Sequence, residues 1–525
     1  MTTERTALGL DPSKTTACHT AAESIVDGVY RATDRRTTVS VERAVARLLG
    51  IDGVDSDDAP LPNVVVDHVA RQGRLDRGIA FWLGAAMLRT GKTPQQLAEG
   101  VARGEVNLCA HAPGDSSEVD DLMAVRAAAA IAAIAQAREE RATFAAGLAQ
   151  DPRDDNGPLR YVLTATGDVY EDVVHARAVA QHGGGIVAVI RSTAQSLLDY
   201  VPYGPTTEGF GGTFATQANF KIMREAMDEW SAGHGRYIRL SSFCSGLCMP
   251  EIAVMGAIEG FDNMVNDALY GILYRDLNPV RTLIDQRFSR RINGMFGITI
   301  NTGEDNYLRT ADAIEAAPSV VASQFINYAL ARRAGLAPNQ IAVGSAFEID
   351  PRVENGLLLE WAHAQLTREL FPDCPIKYMP PTRHMDGDLF RTHANDTLFN
   401  LISVATGQEI QTVGTPSEGI HTPHIHDRVL GLQASSYVST FARDIGSELV
   451  PRPGGLIQTH AARVLEDALS MLEGIRSTSL FTALEAGTFG DVSRTIEGGR
   501  GADGIVTLAD DYMNPFADIE VSAHA

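Results

Sequence analysis

Two textures of apolar and polar positions divide the chain. In the first, apolar residues recur at helical spacing: TTVSVERAVARLLGIDG keeps that period up to a glycine stop, and MAVRAAAAIAAIAQAREERATFAAGLA predicts a long alanine-rich helix. Residues 1–150 are therefore expected to form an N-terminal helical region, and the polar stretch AQDPRDDNGP at residues 149–158 reads as a linker.

From residue 160 the second texture begins, with short β-type runs alternating with helical segments of roughly ten to twenty residues. The expected strands are 160–166, 185–190, 236–242, 268–275, 296–302, 341–348, 375–381 and 409–415. Eight such βα units between residues 151 and 445 predict an α/β fold, a closed (β/α)8 TIM barrel, for which about 250 residues is typical. Residues 446–525 then hold PRPGG, two helical stretches (THAARVLEDALSMLEGIR and SLFTALEAG) and a glycine-rich tail with IEGGRGADGIVTL. That tail is too short for a core of its own and is expected to be an extension or a subunit contact.

Composition narrows the function classes. With 44% hydrophobic and 21% charged residues the chain is ordinary globular protein, without an apolar run of the roughly 20 residues a membrane span needs. MTTERTALGLDPSKTT lacks the apolar stretch of a secretory signal, so a cytoplasmic protein is expected. A net charge of -22 without a basic cluster argues against nucleic acid as a partner. Five thinly spread cysteines do not form a disulfide framework. Of the 44 basic residues only Lys14, Lys92, Lys221 and Lys377 are lysines, which singles out each of them.

In such a barrel, chemistry sits at the C-terminal ends of the strands, so the residues closing each run are the candidates. They are Arg191 with Ser192, Thr193 and Ser196; Ser242 and Ser245; Tyr270, Tyr274, Arg275 and Asp276; Asn301, Glu304 and Asp305; Glu348 and Asp350; Lys377 and Tyr378; and Glu418. Arginines and serine hydroxyls grip a phosphate, a tyrosine face stacks on an aromatic ring, and carboxylates hold ammonium groups. A phosphate-bearing cofactor and a zwitterionic substrate fit that set. Lys377 suits either a Schiff base with pyridoxal phosphate or a plain ion pair.

Other patterns carry less. Cys244 and Cys248 in FCSGLC would need a third cysteine where Glu251 stands, so buried thiols are expected rather than an iron–sulfur cluster. His421, His424 and His426, with His384 and His393 upstream, read as polar rim residues, and no metal is expected. GRGADG follows no predicted strand and opens no helix, and GKT at 91–93 lacks the P-loop glycine.

Several long strings resemble the α subunit of lysine 5,6-aminomutase: DRRTTVSVERAVARLLGIDGVD, TATGDVYEDVVHARAVAQHGGGIVAVIRSTAQSLLDYVPYGPTTEGFGGTFATQANFKIMREAMDE, RYIRLSSFCSGLCMPEIAVMGAIEG, NDALYGILYRD, GITINTGEDNYLRTADA, KYMPPTRHMDGD and GIHTPHIHDR. The resemblance reaches nearly the whole chain. It implies an isomerase that moves the terminal amino group of D-lysine or L-β-lysine from C6 to C5 by a radical mechanism, using pyridoxal 5′-phosphate and adenosylcobalamin. By the same resemblance Arg191 and Ser196 bind the phosphate, Ser245 meets the pyridine nitrogen, and Tyr270 is the stacking ring. Arg275 and Asp305 suit the carboxylate and amine ends of the substrate, Lys377 the phenolic oxygen of the cofactor, and Glu418 the adenosyl or substrate side. Tyr270, Lys377, Asp305 and Glu418 are thus the catalytic candidates.

No DxHxxG cobalamin-binding motif occurs in the sequence. In this family the Schiff-base lysine and the cobalamin-binding domain belong to a smaller β subunit, which implies an α2β2 hetero-oligomer and a chain that is inactive alone. Three alternatives stand beside this reading: a self-contained pyridoxal-phosphate enzyme using Lys377 covalently, a non-catalytic barrel acting as scaffold or sensor, and a metal-dependent hydrolase built on the histidines.

Overall fold

Short buried strands alternate with helices along most of the chain. A first strand, β1 (Arg36–Thr38), precedes the barrel strands β2 (Leu159–Leu163), β3 (Ile186–Ile190), β4 (Arg239–Phe243), β5 (Asn263–Val265), β6 (Thr299–Asn301), β7 (Ile341–Ser345), β8 (Ile376–Tyr378) and β9 (Ile410–Thr412), and a last strand, β10 (Ile505–Thr507), follows them. The computed structural model describes residues 7–110, 116–148, 157–190, 195–302, 313–345, 347–380 and 382–517. Strands β2 to β9 pair in parallel in sequence order, and β9 returns to β2 to close the barrel. Because helices cover the outside and side chains fill the inside, runs such as IAVGS of β7 are buried at every position.

The expected fourth strand is corrected. Residues 268–275 form a helix, Ala268–Arg275, and the fourth barrel strand is the three-residue β5 just before it. The Asp267 side chain accepts from the backbone N–H of Leu269 at 3.0 Å and starts the helix. Leu269, Ile272 and Leu273 then fall on the buried face. Tyr270, Tyr274 and Arg275 therefore stand on a helix beyond a strand end, not within a strand.

The N-terminal segment is helical as expected, with helices Pro12–Thr33, Val39–Leu48, Leu61–Ala70, Ile79–Thr90, Pro94–Ala102 and Ser117–Ala146, except that it also contains β1. That strand pairs antiparallel with β10 of the tail, Thr37 opposite Val506. Helix Pro12–Thr33 packs on helix Leu456–Ser477, and both lie on the barrel helix Ala317–Arg333. Cys18, Ala21 and Ile25 meet the same apolar core as Val464, Ala468 and Leu472, at the spacing that puts each set on one helix face. No described helix is long and apolar enough to cross a membrane.

Candidate active site at the barrel mouth

The barrel interior holds an apolar layer of Ile186, Ala188, Ala342 and Ile410 against Tyr161, and beside it a chain of polar side chains where an ordinary core would be aliphatic. Tyr161 of β2 donates to Ser241 of β4 at 3.2 Å, and Ser241 donates to Oδ1 of Asn263 on β5 at 2.7 Å. Asn263 and Asn301 of β6 exchange amide hydrogen bonds of 3.0 and 2.7 Å. All four residues are buried, so each must be satisfied inside the barrel. Above this chain the Lys377 ammonium lies 4.7 Å from the centroid of the Tyr161 ring, in cation–π range. Alternation along β8 turns its neighbour Tyr378 the other way: that hydroxyl donates to Glu360 at 3.0 Å in the helix layer, so Tyr378 leaves the candidate set.

On one side of the mouth the structure brings Ser196, Ser245, Tyr270 and Arg275 together. The turn Gln195–Leu197 follows β3, and its Ser196 carbonyl accepts from the N–H of Leu247 in the loop after β4 at 3.3 Å. Gly246, at φ +87°, makes the approach possible, because a side chain there would strike the Ser196 backbone. Helix Ala268–Arg275 packs against the same turn. Arg275 donates to the Tyr270 hydroxyl at 2.6 Å with its guanidinium carbon 5.3 Å from the ring centroid, so the two residues act as one unit.

On the other side stand Glu418, beyond β9, and an acid that periodicity did not single out, Asp396. Asp396 is 2% exposed on helix Leu389–Thr406, and neither carboxyl oxygen has a hydrogen-bond partner. Burial, and then the charge of Glu418, hold it well above the usual carboxylate range. Gly414 is a glycine because a Cβ there would meet the Asp396 carboxyl. Glu348 has an organising role: it accepts from Thr382 at 2.6 Å and from the N–H of Arg383 at 3.2 Å, fixing the loop after β8. The hydroxyls of Thr412, the last residue of β9, and of Thr415 in the loop after it are buried without a partner among the described residues. Polar groups in that condition are what a bound polar molecule would satisfy.

Arg191, Glu304 and Asp305 lie outside the described residues. Cys244 and Cys248 are buried thiols that donate to the carbonyls of Met249 and Leu198, both at 3.2 Å, and burial pushes Cys244 up to about 12. Glu251, in the position a third cluster ligand would need, is buried and paired with Arg47 at 2.8 Å. His421 is bonded to the carbonyl of Thr422, and His424 caps helix Ile425–Phe441. Sequence reasoning missed Tyr161, Ser241 and Asn263, although a serine or asparagine inside an apolar strand is a readable sign.

The comparisons with known proteins bear on this geometry. Residues 8–519 match the family model described as "D-Lysine 5,6-aminomutase TIM-barrel domain of alpha subunit". A lysine 5,6-aminomutase α subunit of Acetoanaerobium sticklandii is 49% identical over 512 residues, 98% of each chain. Another from Fusobacterium nucleatum is 49% identical over 483 residues, 92% of this chain and 93% of that one. A D-ornithine 4,5-aminomutase subunit β, also of A. sticklandii, is 29% identical over 385 residues, covering 70% of this chain and 51% of its own length. On a family match over nearly its whole length and 49% identity to two such subunits, the chain belongs to the family of lysine 5,6-aminomutase α subunits.

Proposed function

We propose that this chain grips pyridoxal phosphate on the Ser196, Ser245 and Tyr270 side of its mouth and so presents a diamino acid to a radical source carried by a partner. The reaction is the isomerisation of lysine 5,6-aminomutase: the terminal amino group of D-lysine or L-β-lysine moves from C6 to C5. Its cofactors are pyridoxal phosphate and adenosylcobalamin. The residues fit the first of these: the half-buried Ser245 stands beside the Ser196 turn on one side of the mouth, and buried, unpartnered hydroxyls of Thr412 and Thr415 stand on the other. For the second, the chain has no DxHxxG segment, which assigns it to the partner. When bound, the pyridoxal ring holds the migrating amine and adenosylcobalamin supplies the radical initiator.

The chain's own residues then bind, orient and exclude water. Ser196, with Arg191, holds the phosphate; Ser245 orients the pyridine nitrogen; the Tyr270 face stacks on the ring. Arg275 takes the substrate carboxylate and Asp305 its amine. Lys377, kept over Tyr161, donates to the phenolic oxygen. Glu418, beside the buried Asp396, faces the adenosyl or substrate side. The observation that carries this reading is the direct contact between the two serine loops, with the tyrosine helix packed against one of them. The working assembly is a cytoplasmic α2β2 hetero-oligomer whose β subunit holds the Schiff-base lysine and the cobalamin domain.

Purified chain is mixed with both cofactors, with and without the β subunit, and 5-amino product from D-lysine and L-β-lysine is measured. Turnover only with the partner supports the reading. Turnover by the chain alone, or loss of Ser245 without effect on pyridoxal phosphate binding, overturns it.

A further inference from the structure

The glycine-rich string near the C-terminus has no nucleotide context, yet its backbone is tied at several points to the loop after the helix that carries Tyr270. Arg500 donates its N–H to the carbonyl of Asp276 at 2.6 Å and accepts at its own carbonyl from Asn278 at 3.0 Å. The Asn278 side chain donates to the carbonyls of Ile496 and Gly498 at 2.9 and 2.7 Å. Arg494 donates to the carbonyls of Ile272 and Leu273 at 2.9 and 2.6 Å, the unpaired last turn of the helix that carries Tyr270. The glycines are required by contact. A side chain at Gly499 would come within 2.7 Å of the Asn278 nitrogen, and one at Gly504 would strike the Arg281 guanidinium.

Arg281 is where this strap meets the two serine loops. It is fully buried, on helix Pro279–Met295. Its guanidinium donates to both Asp199 carboxylate oxygens at 2.8 and 3.3 Å, to the Leu247 carbonyl at 3.2 Å and to the Gly501 carbonyl at 3.1 Å. Its Nε donates to Asp285 at 3.2 Å. Asp199 stands three residues beyond Ser196, and Leu247 two beyond Ser245. One rigid fork therefore spans both loops and ties them to the tail. From the N-terminal segment Arg43 adds bonds to the Asp199 carbonyl at 2.7 Å and its carboxylate at 2.9 Å.

We propose that Arg281, seated by the strap of residues 494–504, is a positioning residue for the cofactor, setting the distance between the Ser196 and Ser245 hydroxyls without touching the bound molecule. This rests on the reading that those two serines bind pyridoxal phosphate. Lysine at 281 keeps the charge but cannot reach two loops and the tail at once, whereas methionine keeps only the bulk.

The test uses the α/β holoenzyme. Pyridoxal phosphate affinity is titrated for wild type, R281K, R281M, S245A and the R281K/S245A double variant, with the melting temperature of each measured without cofactor. The expected result is about tenfold weaker binding for R281K, a larger loss for R281M, turnover recovered at saturating cofactor, and an effect of R281K that shrinks in the S245A background. If the Arg281 variants do not fold, G504A, whose methyl displaces the guanidinium, must weaken binding in the same way. Unchanged affinity in S245A overturns the cofactor reading itself. Weakened affinity in S245A, with R281K and G504A unchanged or strictly additive to it, overturns the role of Arg281 alone.

Discussion

His363 and His460 form a buried pair that locks helix Leu456–Ser477 onto barrel helix Gly356–Leu370, and acid should loosen it. Arg463 donates to Nδ1 of His460 at 3.1 Å, so His460 carries its proton on Nε2 and gives it to Nε2 of His363, 2.8 Å away. His363 keeps its own proton on Nδ1, which is buried without a partner. A further proton on either ring would face an N–H or a guanidinium. Burial, and then the Arg463 charge, lower His460 to about 4, while burial, His460 and Arg463 hold His363 well below the usual range. An unfolded histidine titrates near ~6.5, so between ~6.5 and the folded values the unfolded chain binds more protons. The stabilisation is complete above about pH 6.5 and is lost as the pH falls toward 4. For His460 alone these values give about 2 kcal/mol lost between about pH 7 and 5. Urea unfolding of the full chain at the two pH values measures it, against H460Q, whose amide can still donate to His363 but does not titrate. A wild-type minus H460Q difference that stays flat to within about 0.5 kcal/mol would refute the argument.

Four further outcomes are expected. Burial raises Glu360 to about 7, so its folded form costs stability once ionised, and E360Q should gain on wild type by about 3 kcal/mol between about pH 4 and 8 in denaturant unfolding. R47M leaves the buried Glu251 carboxylate unpaired and should lose about 3–5 kcal/mol, most of it recovered in R47M/E251L, as urea midpoints would show. In the holoenzyme Y270F should keep pyridoxal phosphate affinity within about threefold while Y270A loses tenfold or more, by titration, if ring stacking is the contribution of Tyr270. G246A drives a methyl into the Ser196 backbone at a positive φ and should cost about 1–3 kcal/mol in thermal unfolding together with weaker cofactor binding.

Much of this fold was readable because parallel barrel strands are buried on both faces and leave unbroken apolar runs, as in GIVAVI and IAVGSAFE. The fourth strand was not, because NMV lies between aspartates and is followed by a stronger apolar run whose 3.6 period belongs to a helix. The strand ends were read long for a related reason: Thr164 and Thr302 still donate one backbone bond each to the next strand, to Ala188 and Ala342, but the pairing does not continue beyond them. On the rim, Ser196 and Ser245 were legible as polar closures of strands; Tyr270 and Arg275 were singled out on a strand that proves to be a helix, and the structure still sets that helix against the Ser196 turn. Arg281 and Asp396 were not, since a charged residue on a helix ordinarily faces water and only the tertiary packing shows that these two do not. The pairing of β1 with β10 was equally hidden, because three-residue strands carry no period of their own.

That pairing also fixes a schedule. Thr37 and its ladder partner Val506 lie near opposite ends of the sequence, and β1, made early, waits for β10 before its ladder can form. Contacts of such separation are slow to close and leave one side exposed in the interval. The closure reaches the rim through the same tail, so a chain interrupted before the strap would possess every barrel strand and still lack the tail contact that seats Arg281 between the two serine loops. Synthesis order thus makes the final setting of the two serine loops a late event, coupled to the arrival of the tail rather than to closure of the barrel.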